Sequence, residues 1–311
     1  MARTNEVREL RKWLRLPKSR RELIDRAAFI ILAVIGVIIV IPFFAIVFEV
    51  ISQGWFLLSP AFLLTNMEGF AGGGIRNAIA GSMELIALAG IVAIPLCVGA
   101  AIYTTEYAQK SSRSSRRSVR WLNKWINIIV EFTADTLAGV PSIIFGAFGL
   151  ILFVAIFGQS MLAGALTLSL MMIPTVLRTT QESLRAVPMN LREASLALGA
   201  TTWSTSWRVV LRAAFAGIIT GVLLAIGRVI GETAPLLFTT GFNFDRPWGL
   251  LDAVASLPFT IYQFALLGAD PILRMRAYAT GIVLIGIVLV VDVLANWVSK
   301  KVGVIVRAGG I

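Results

Sequence analysis

An all-α membrane protein with six transmembrane helices is the fold class this sequence predicts, and three observations carry it. Hydrophobic residues make up 57% of the 311 residues and charged residues only 14%, with a mean hydropathy of +0.83; a soluble domain carries about 45–50% apolar and about 25% charged residues. Uncharged runs of about 20 residues, enough to cross a bilayer, recur along the chain. The Lys and Arg residues between those runs gather on one side, as the positive-inside rule requires.

The elements follow in order. Ala27–Phe48 holds 22 residues without a charge and forms span one, kinked by Pro42 near its end. Its length, and the basic stretch reaching Arg26 ahead of it, argue against a signal peptide. Trp55 to Phe62 is rich in aromatics, as suits a membrane interface, and Gly72-Gly73-Gly74 reads as a flexible lead into the next helix. Leu85–Thr105, uncharged and containing Pro95, forms span two. Thr136–Leu177 runs 42 residues without a charge, which suits two spans joined by a tight turn at Gly158-Gln159-Ser160. Span three starts near Asn127, with Glu131 and Asp135 at its inner end, and span four runs from Met161 into the Arg178 region. Span five begins near Ala213 and continues past Arg228 and Glu232. Span six is Ala277 to about Val298, with Asp292 inside it. Ala253–Ala269 is also uncharged, but Pro258, Gln263 and Gly268 weaken it; it reads as a helix at the outer surface or dipping into it.

Counting cations between the spans fixes the expected orientation. Residues 1–26 hold nine, the loop between spans two and three six, the segment between spans four and five another five, and the C-terminal tail three. The opposite side has four: Arg76, Arg246, Arg274 and Arg276. Both termini and the even-numbered loops are therefore expected in the cytoplasm. The same asymmetry accounts for the net charge of +11 without nucleic acid; the basic N-terminal cluster is expected to meet anionic lipid.

Residue counts exclude several chemistries. Cys97 is the only cysteine and histidine is absent, so disulfide frameworks, His-ligated zinc and Ser-His-Asp catalysis are out. No G-x-x-x-x-G-K-[ST] string occurs, so the chain carries no P-loop.

Charges inside spans are functional hypotheses, because their insertion is costly. Arg228 lies about 22 Å along span five from Ala213, and Glu232, four residues on, is expected on the same helix face. Two readings are open: a self-neutralising ion pair, or an anion contact in a polar pathway. Arg suits phosphate-like anions because its planar fork donates two parallel hydrogen bonds. Glu232 would hold that fork and prevent overly tight binding, while Gly227 and Gly231 would admit a close backbone. Arg178 near the inner face is either a snorkelling anchor or a second anion contact nearer the exit. Asp292 and Glu84 are assigned structural roles.

The segment between spans four and five is the other unusual feature. Pro188 ends one helix. Asn190 is a candidate N-cap, with Glu193 completing a capping-box pattern, and Gly199 supplies the stop. Leu191, Ala194, Ser195 and Leu198 fall on one face. A short amphipathic helix is thus expected in the cytoplasm, lying on lipid or docking into a partner's groove.

Here a resemblance enters. Glu193-Ala194-Ser195, Gly199, Val209, Leu211 and Arg212 resemble the cytoplasmic E-A-A motif of binding-protein-dependent ABC permeases, with Ser195 and Arg212 replacing the motif's second Ala and final Pro. The strings Leu137 to Gly146, Arg178-Thr179-Thr180 with Leu184 to Pro188, and Ala225 to Pro235 resemble PstA-type permeases of bacterial phosphate-specific ABC importers, over residues 75–300. The resemblance implies a MetI-like type I permease fold in the bacterial inner membrane. It implies a second homologous permease (PstC-type), two nucleotide-binding ATPase subunits (PstB-type) that bind ATP and Mg, and an extracytoplasmic phosphate-binding protein (PstS-type). It implies that Glu193, Ala194, Ser195, Leu198 and Gly199 form the coupling element, and that Arg228, Glu232 and Arg178 line the phosphate path.

The expected organisation is a basic cytoplasmic tail at 1–26, the first transmembrane helix and outer loop at 27–75, the permease core at 76–300 with its coupling loop at about 186–212, and a cytoplasmic tail at 301–311. Alternating access is the expected mechanism, with Pro95, Pro141, Pro174, Gly227 and Gly231 as bending points. A permease for sulfate or molybdate, a passive channel and an intramembrane enzyme are the alternatives; no nucleophile–base pair supports the last.

Overall fold

The computed structural model describes residues 18–108, 117–245 and 249–308. The tail up to Pro17, the loop cations Lys110, Arg113 and Arg116, and Arg246 lie outside the described residues. The chain divides into two compact units, residues 1–53 and 54–311. The division does not follow the expected boundary at 75. Phe62, Met67 and Ile75 bury themselves with Leu257, Phe264 and Leu273, so the segment after residue 54 belongs to the larger unit.

In the first unit, a single helix α1 (Lys18–Gly54) carries the chain through Pro42. Its side chains are exposed along almost all of its length, as an apolar helix surrounded by lipid requires.

Among the described residues, the second unit holds one two-stranded hairpin, and its other regular elements are helices. α2 (Pro60–Leu64) is capped by Ser59 Oγ, which accepts from the Phe62 amide. β1 (Met67–Glu68) then pairs antiparallel with β2 (Gly72–Gly73). The glycine run is therefore no loose lead. Arg276, only 4% exposed, donates to the Gly72, Gly73 and Gly74 carbonyls at 2.9–3.3 Å and stacks its guanidinium against Phe62 and Phe264. A cation counted for topology is a structural clamp.

α3 (Arg76–Ile102) continues into a π-helical segment, Tyr103–Ala108. α4 (Arg117–Gly139) follows, then Pro141 and α5 (Ser142–Gly149). The apolar path through α4 and on to Phe157 bends by 110° at Val140–Pro141, so expected span three is a broken element. Pro141 has no N–H to donate and its ring blocks a continuing helix. Gly146 and Gly149 then allow close packing: a Cβ at Gly149 would lie 2.2 Å from Thr167 Oγ1.

After a π-helical stretch (Leu150–Val154) and α6 (Ala155–Phe157), Gly158 turns the chain at φ +71 and Ser160 caps α7 (Met161–Arg185). The expected turn at 158–160 is where the chain reverses. α8 (Met189–Ala197) and α9 (Thr202–Thr205) lead through a π-helical segment, Ser206–Val210, into α10 (Leu211–Val229). α11 (Ala234–Thr239), α12 (Leu257–Leu266) and α13 (Pro271–Ala308) complete the chain. The ten residues of α12 are too few to cross a bilayer, in keeping with the expected non-spanning helix. α13 continues without interruption past residue 300, so the expected tail begins as helix.

Among the described residues, five helices are long and apolar enough to cross a membrane, and six if the bent pair around Pro141 counts as one span. The larger core joins α3, α7 and α10 through Leu85, Ala89, Leu168, Met172, Val176, Ala214 and Val229.

Candidate functional site

α7 and α10 run antiparallel along a seam of small residues. A Cβ at Gly217 would lie 2.3 Å from Ser183 Oγ, and one at Gly221 would lie 2.0 Å from Thr179 Oγ1. This register places Arg228 level with Met172, near the middle of the 25-residue α7. Arg178 lies about 9 Å further toward the α8 end. The two arginines therefore stand at different depths, as expected.

The expected shared face of Arg228 and Glu232 does not form. α10 stops at Val229, and Glu232 sits in the turn, its amide donating to the Val229 carbonyl at 3.1 Å. Pro235 lies in the first turn of the next helix, Ala234–Thr239, where proline is tolerated, and its ring disfavours one helix running through Gly231 to Pro235. Arg228 is exposed and Glu232 partly exposed; among the described residues neither side chain makes an ion pair. Gly231 has nothing within 4 Å of its would-be Cβ, so it seats no neighbouring backbone. At Gly227 the approaching group is the Asp292 carboxylate, 3.0 Å from a would-be Cβ. The helix break thus leaves a guanidinium level with the middle of α7 beside irregular backbone, and such backbone is tolerated in a membrane only when buried in protein or lining a polar cavity.

Arg178 is engaged. Its Nη2 donates to Asp135 Oδ1 and forms an ion pair with it, and Nη1 donates to Gln181 Oε1 at 3.5 Å. One turn away on α4, Glu131 lies 3.7 Å from Arg185. The sequence signal was present: two acids four residues apart face two arginines seven apart, both near-integral helical repeats. Gln181 in turn donates to Thr104 Oγ1 at 2.9 Å, fully buried.

Between α7 and α10 the expected short helix is present, but its expected cap is not. α8 begins at Met189 with Pro188 as N-cap, and no side chain caps it; Asn190 lies inside the first turn and Glu193 is exposed, so the expected capping box is absent. Pro188 already holds the extended backbone of a cap (ψ 141), starting the helix two residues early. Gly199 ends the segment at φ +83, a conformation glycine adopts without strain. Glu193, Ala194 and Gly199 are exposed, and Leu198 is 90% exposed. Ser195 faces inward: its hydroxyl bonds that of Thr205 at 2.9 Å, tying α8 to the return helix.

Arg192 was the residue the sequence hid. It is 7% exposed; its Nε and Nη2 donate to Glu106 Oε1 at 3.0 and 2.8 Å, and its other bonds go to the Val187 and Leu184 carbonyls at 2.5 and 2.7 Å. Leu184 lies in the last turn of α7 and Val187 two residues past its end, where carbonyls lack full helical partners. Nothing local in the sequence pairs positions 106 and 192.

The comparisons with known proteins agree with this architecture. Residues 112–304 match the model of the family described as binding-protein-dependent transport system inner membrane component. The phosphate transport system permease protein PstA of Yersinia pestis is 38% identical over 82% of this chain and 83% of its own length. PstA 1 of Mycobacterium tuberculosis (strain ATCC 25618 / H37Rv) is 36% identical over 83% of this chain and 82% of its own. A chain of the inward-facing MetNI methionine ABC transporter shares the fold at a TM-score of 0.55 and 18% identity, covering 73% of this chain and 97% of that one. Membership of this permease family implies ATPase and substrate-binding partners. The chain is a multi-pass inner-membrane protein and belongs to the PstA permeases, within the family of binding-protein-dependent transport system inner membrane components.

Proposed function

We propose that the chain is the transmembrane permease subunit of an ATP-driven importer that moves inorganic phosphate into the cytoplasm by alternating access. The observation that carries the reading is α8: a short helix at one end of a membrane bundle, stopped by Gly199 and ending in a bare Leu198. A leucine 90% exposed to water is costly to keep bare and suits insertion into a partner's groove. In this reading Glu193, Ala194, Leu198 and Gly199 meet a cytoplasmic nucleotide-binding subunit, while Ser195 fixes α8 from behind through Thr205. ATP and Mg are held by two such PstB-type subunits, and this chain contributes no ATPase site of its own. A PstC-type second permease completes the path, and a PstS-type binding protein delivers the cargo outside.

Phosphate is the cargo that the relatives' names support. Arg228 supplies the matching chemistry: a guanidinium at mid-depth, free of an acidic clamp among the described residues, able to donate two parallel hydrogen bonds to an oxyanion. Glu232, displaced onto the turn, limits the local positive charge without occupying the fork, which favours release. Arg178 becomes a second contact only by exchanging Asp135 for the anion. Coupling-loop movement, driven by ATP, opens this region alternately to the two sides.

The test is radiolabelled phosphate uptake into vesicles carrying the complete complex, with sulfate as competitor. The reading predicts ATP-dependent uptake that excess sulfate does not depress. Uptake that persists without ATP, or that sulfate abolishes, contradicts it.

A further inference from the structure

We propose that the π-helical segment Tyr103–Ala108, at the end of α3, is a relay that transmits movement of the coupling helix to Arg178, with Glu106 and Thr104 as its two positioning residues. The proposal rests on the reading of α8 as the coupling element and adds the path by which its motion reaches the pathway.

Three observations place the relay. First, Glu106 is 2% exposed and holds Arg192 of α8 through two charge-assisted bonds at 2.8 and 3.0 Å. Second, the same guanidinium binds the Leu184 and Val187 carbonyls at the end of α7, so one side chain joins α3, α7 and α8. Third, two residues before Glu106, Thr104 accepts from Gln181, whose Oε1 accepts from Arg178. Arg178 is in turn paired with Asp135 on α4. A continuous polar chain therefore runs Arg192–Glu106, then along the backbone to Thr104–Gln181–Arg178–Asp135.

The surroundings argue for a mechanical role. Removing one member of a buried ion pair leaves an uncompensated charge, so α8 cannot move away from Glu106 without dragging the end of α3. Four bonds from one guanidinium to three acceptor oxygens fix orientation as well as distance. A π-helical turn has a looser hydrogen-bond ladder than an α-helix and is a recurrent site of functional adjustment; here it lies between the two polar links. When α8 shifts, Glu106 follows, the π-helical turn rotates, and the Thr104–Gln181 bond carries that rotation to Arg178. The carboxylate of Asp135 is then free to yield its place to an anion, or to reclaim it.

The test uses the complete complex in vesicles and reads phosphate taken up per ATP hydrolysed. Glu106→Gln keeps shape but removes the charge; Arg192→Lys keeps the charge but loses the fork; Thr104→Val removes the distal link, with the local bond from the Thr104 hydroxyl to the Ala101 carbonyl. Complexes with these variants are expected to assemble and hydrolyse ATP, while uptake per ATP falls about tenfold, the effect of losing one buried charge-assisted bond. Leu198→Asp is the control for the underlying reading, because it blunts the docking knob and leaves the relay intact. If Leu198→Asp transports normally, the coupling reading falls. If Leu198→Asp fails but the relay variants keep the wild-type ratio in assembled complexes, the relay alone is wrong. Failure of both Glu106→Gln and Thr104→Val to assemble also overturns the relay, assigning these residues to folding.

Discussion

Gly221→Ala probes the seam on which Arg178 and Arg228 are mounted. The new Cβ would lie 2.0 Å from Thr179 Oγ1 and 2.5 Å from Thr179 Cβ. The hydroxyl alone could rotate away, breaking its 2.8 Å bond to the Thr175 carbonyl, but the Cβ is fixed to the α7 backbone. Ordinary contact begins at 3.4 Å, so α7 and α10 must separate by close to 1 Å. Overpacking of this kind costs about 1–3 kcal/mol. For a unit of this size that corresponds to a melting temperature lower by about 2–12 °C. The separation also moves Arg228 relative to Arg178, so phosphate uptake is expected to fall in parallel. The assay is thermal denaturation of the purified complex in detergent, followed by uptake in vesicles. Gly231→Ala is the matched control: nothing lies within 4 Å of that position, and neither measurement should change. A Gly221→Ala complex with wild-type melting temperature and uptake refutes the close helix seam and the register derived from it.

Further predictions follow from single contacts. Arg228→Ala is expected to abolish uptake while the complex assembles and binds its partners; wild-type uptake removes Arg228 from the pathway. Glu193→Lys is expected to uncouple ATP hydrolysis from transport or to prevent ATPase subunits from co-purifying, and unchanged transport would show that α8 is not the coupling element. Arg276→Leu leaves three hairpin carbonyls without their donor, a loss of about 1–3 kcal/mol per unsatisfied buried group at most, so limited proteolysis should cut near Gly69–Gly74 faster than in wild type. Equal cleavage rates would show that the clamp does not hold the hairpin.

How much of this was legible before the fold was known depends on the range of each interaction. Spans were readable because charge-free runs of sufficient length are a local property, and the turn at Gly158 and the stop at Gly199 were readable because positive φ selects glycine. The helix break after Val229 was missed although Pro235 was in plain view: proline disrupts the turn before it, at Gly231, and the apolar run masked that effect. The 110° bend at Pro141 was half visible, as a bending point within a supposed straight span. The pairs Arg192–Glu106, Arg178–Asp135 and the Arg276 clamp join residues 86, 43 and over 200 positions apart. Beyond complementary charge, and for Arg178 the matched helical spacing of Glu131 and Asp135 with Arg178 and Arg185, a single sequence contains no signal for such pairings, so those arginines were counted for topology and their partners overlooked.

The most direct measurement is the labelling of Arg228→Cys, in a Cys97→Ser background that removes the chain's one native cysteine, by a membrane-impermeant thiol reagent applied from either side of vesicles carrying the full complex. Alternating access past this residue predicts labelling from one side at rest and from the other when the ATPase subunits are locked with ATP. A cysteine at 228 that reacts from neither side in either state would contradict an anion path through this position.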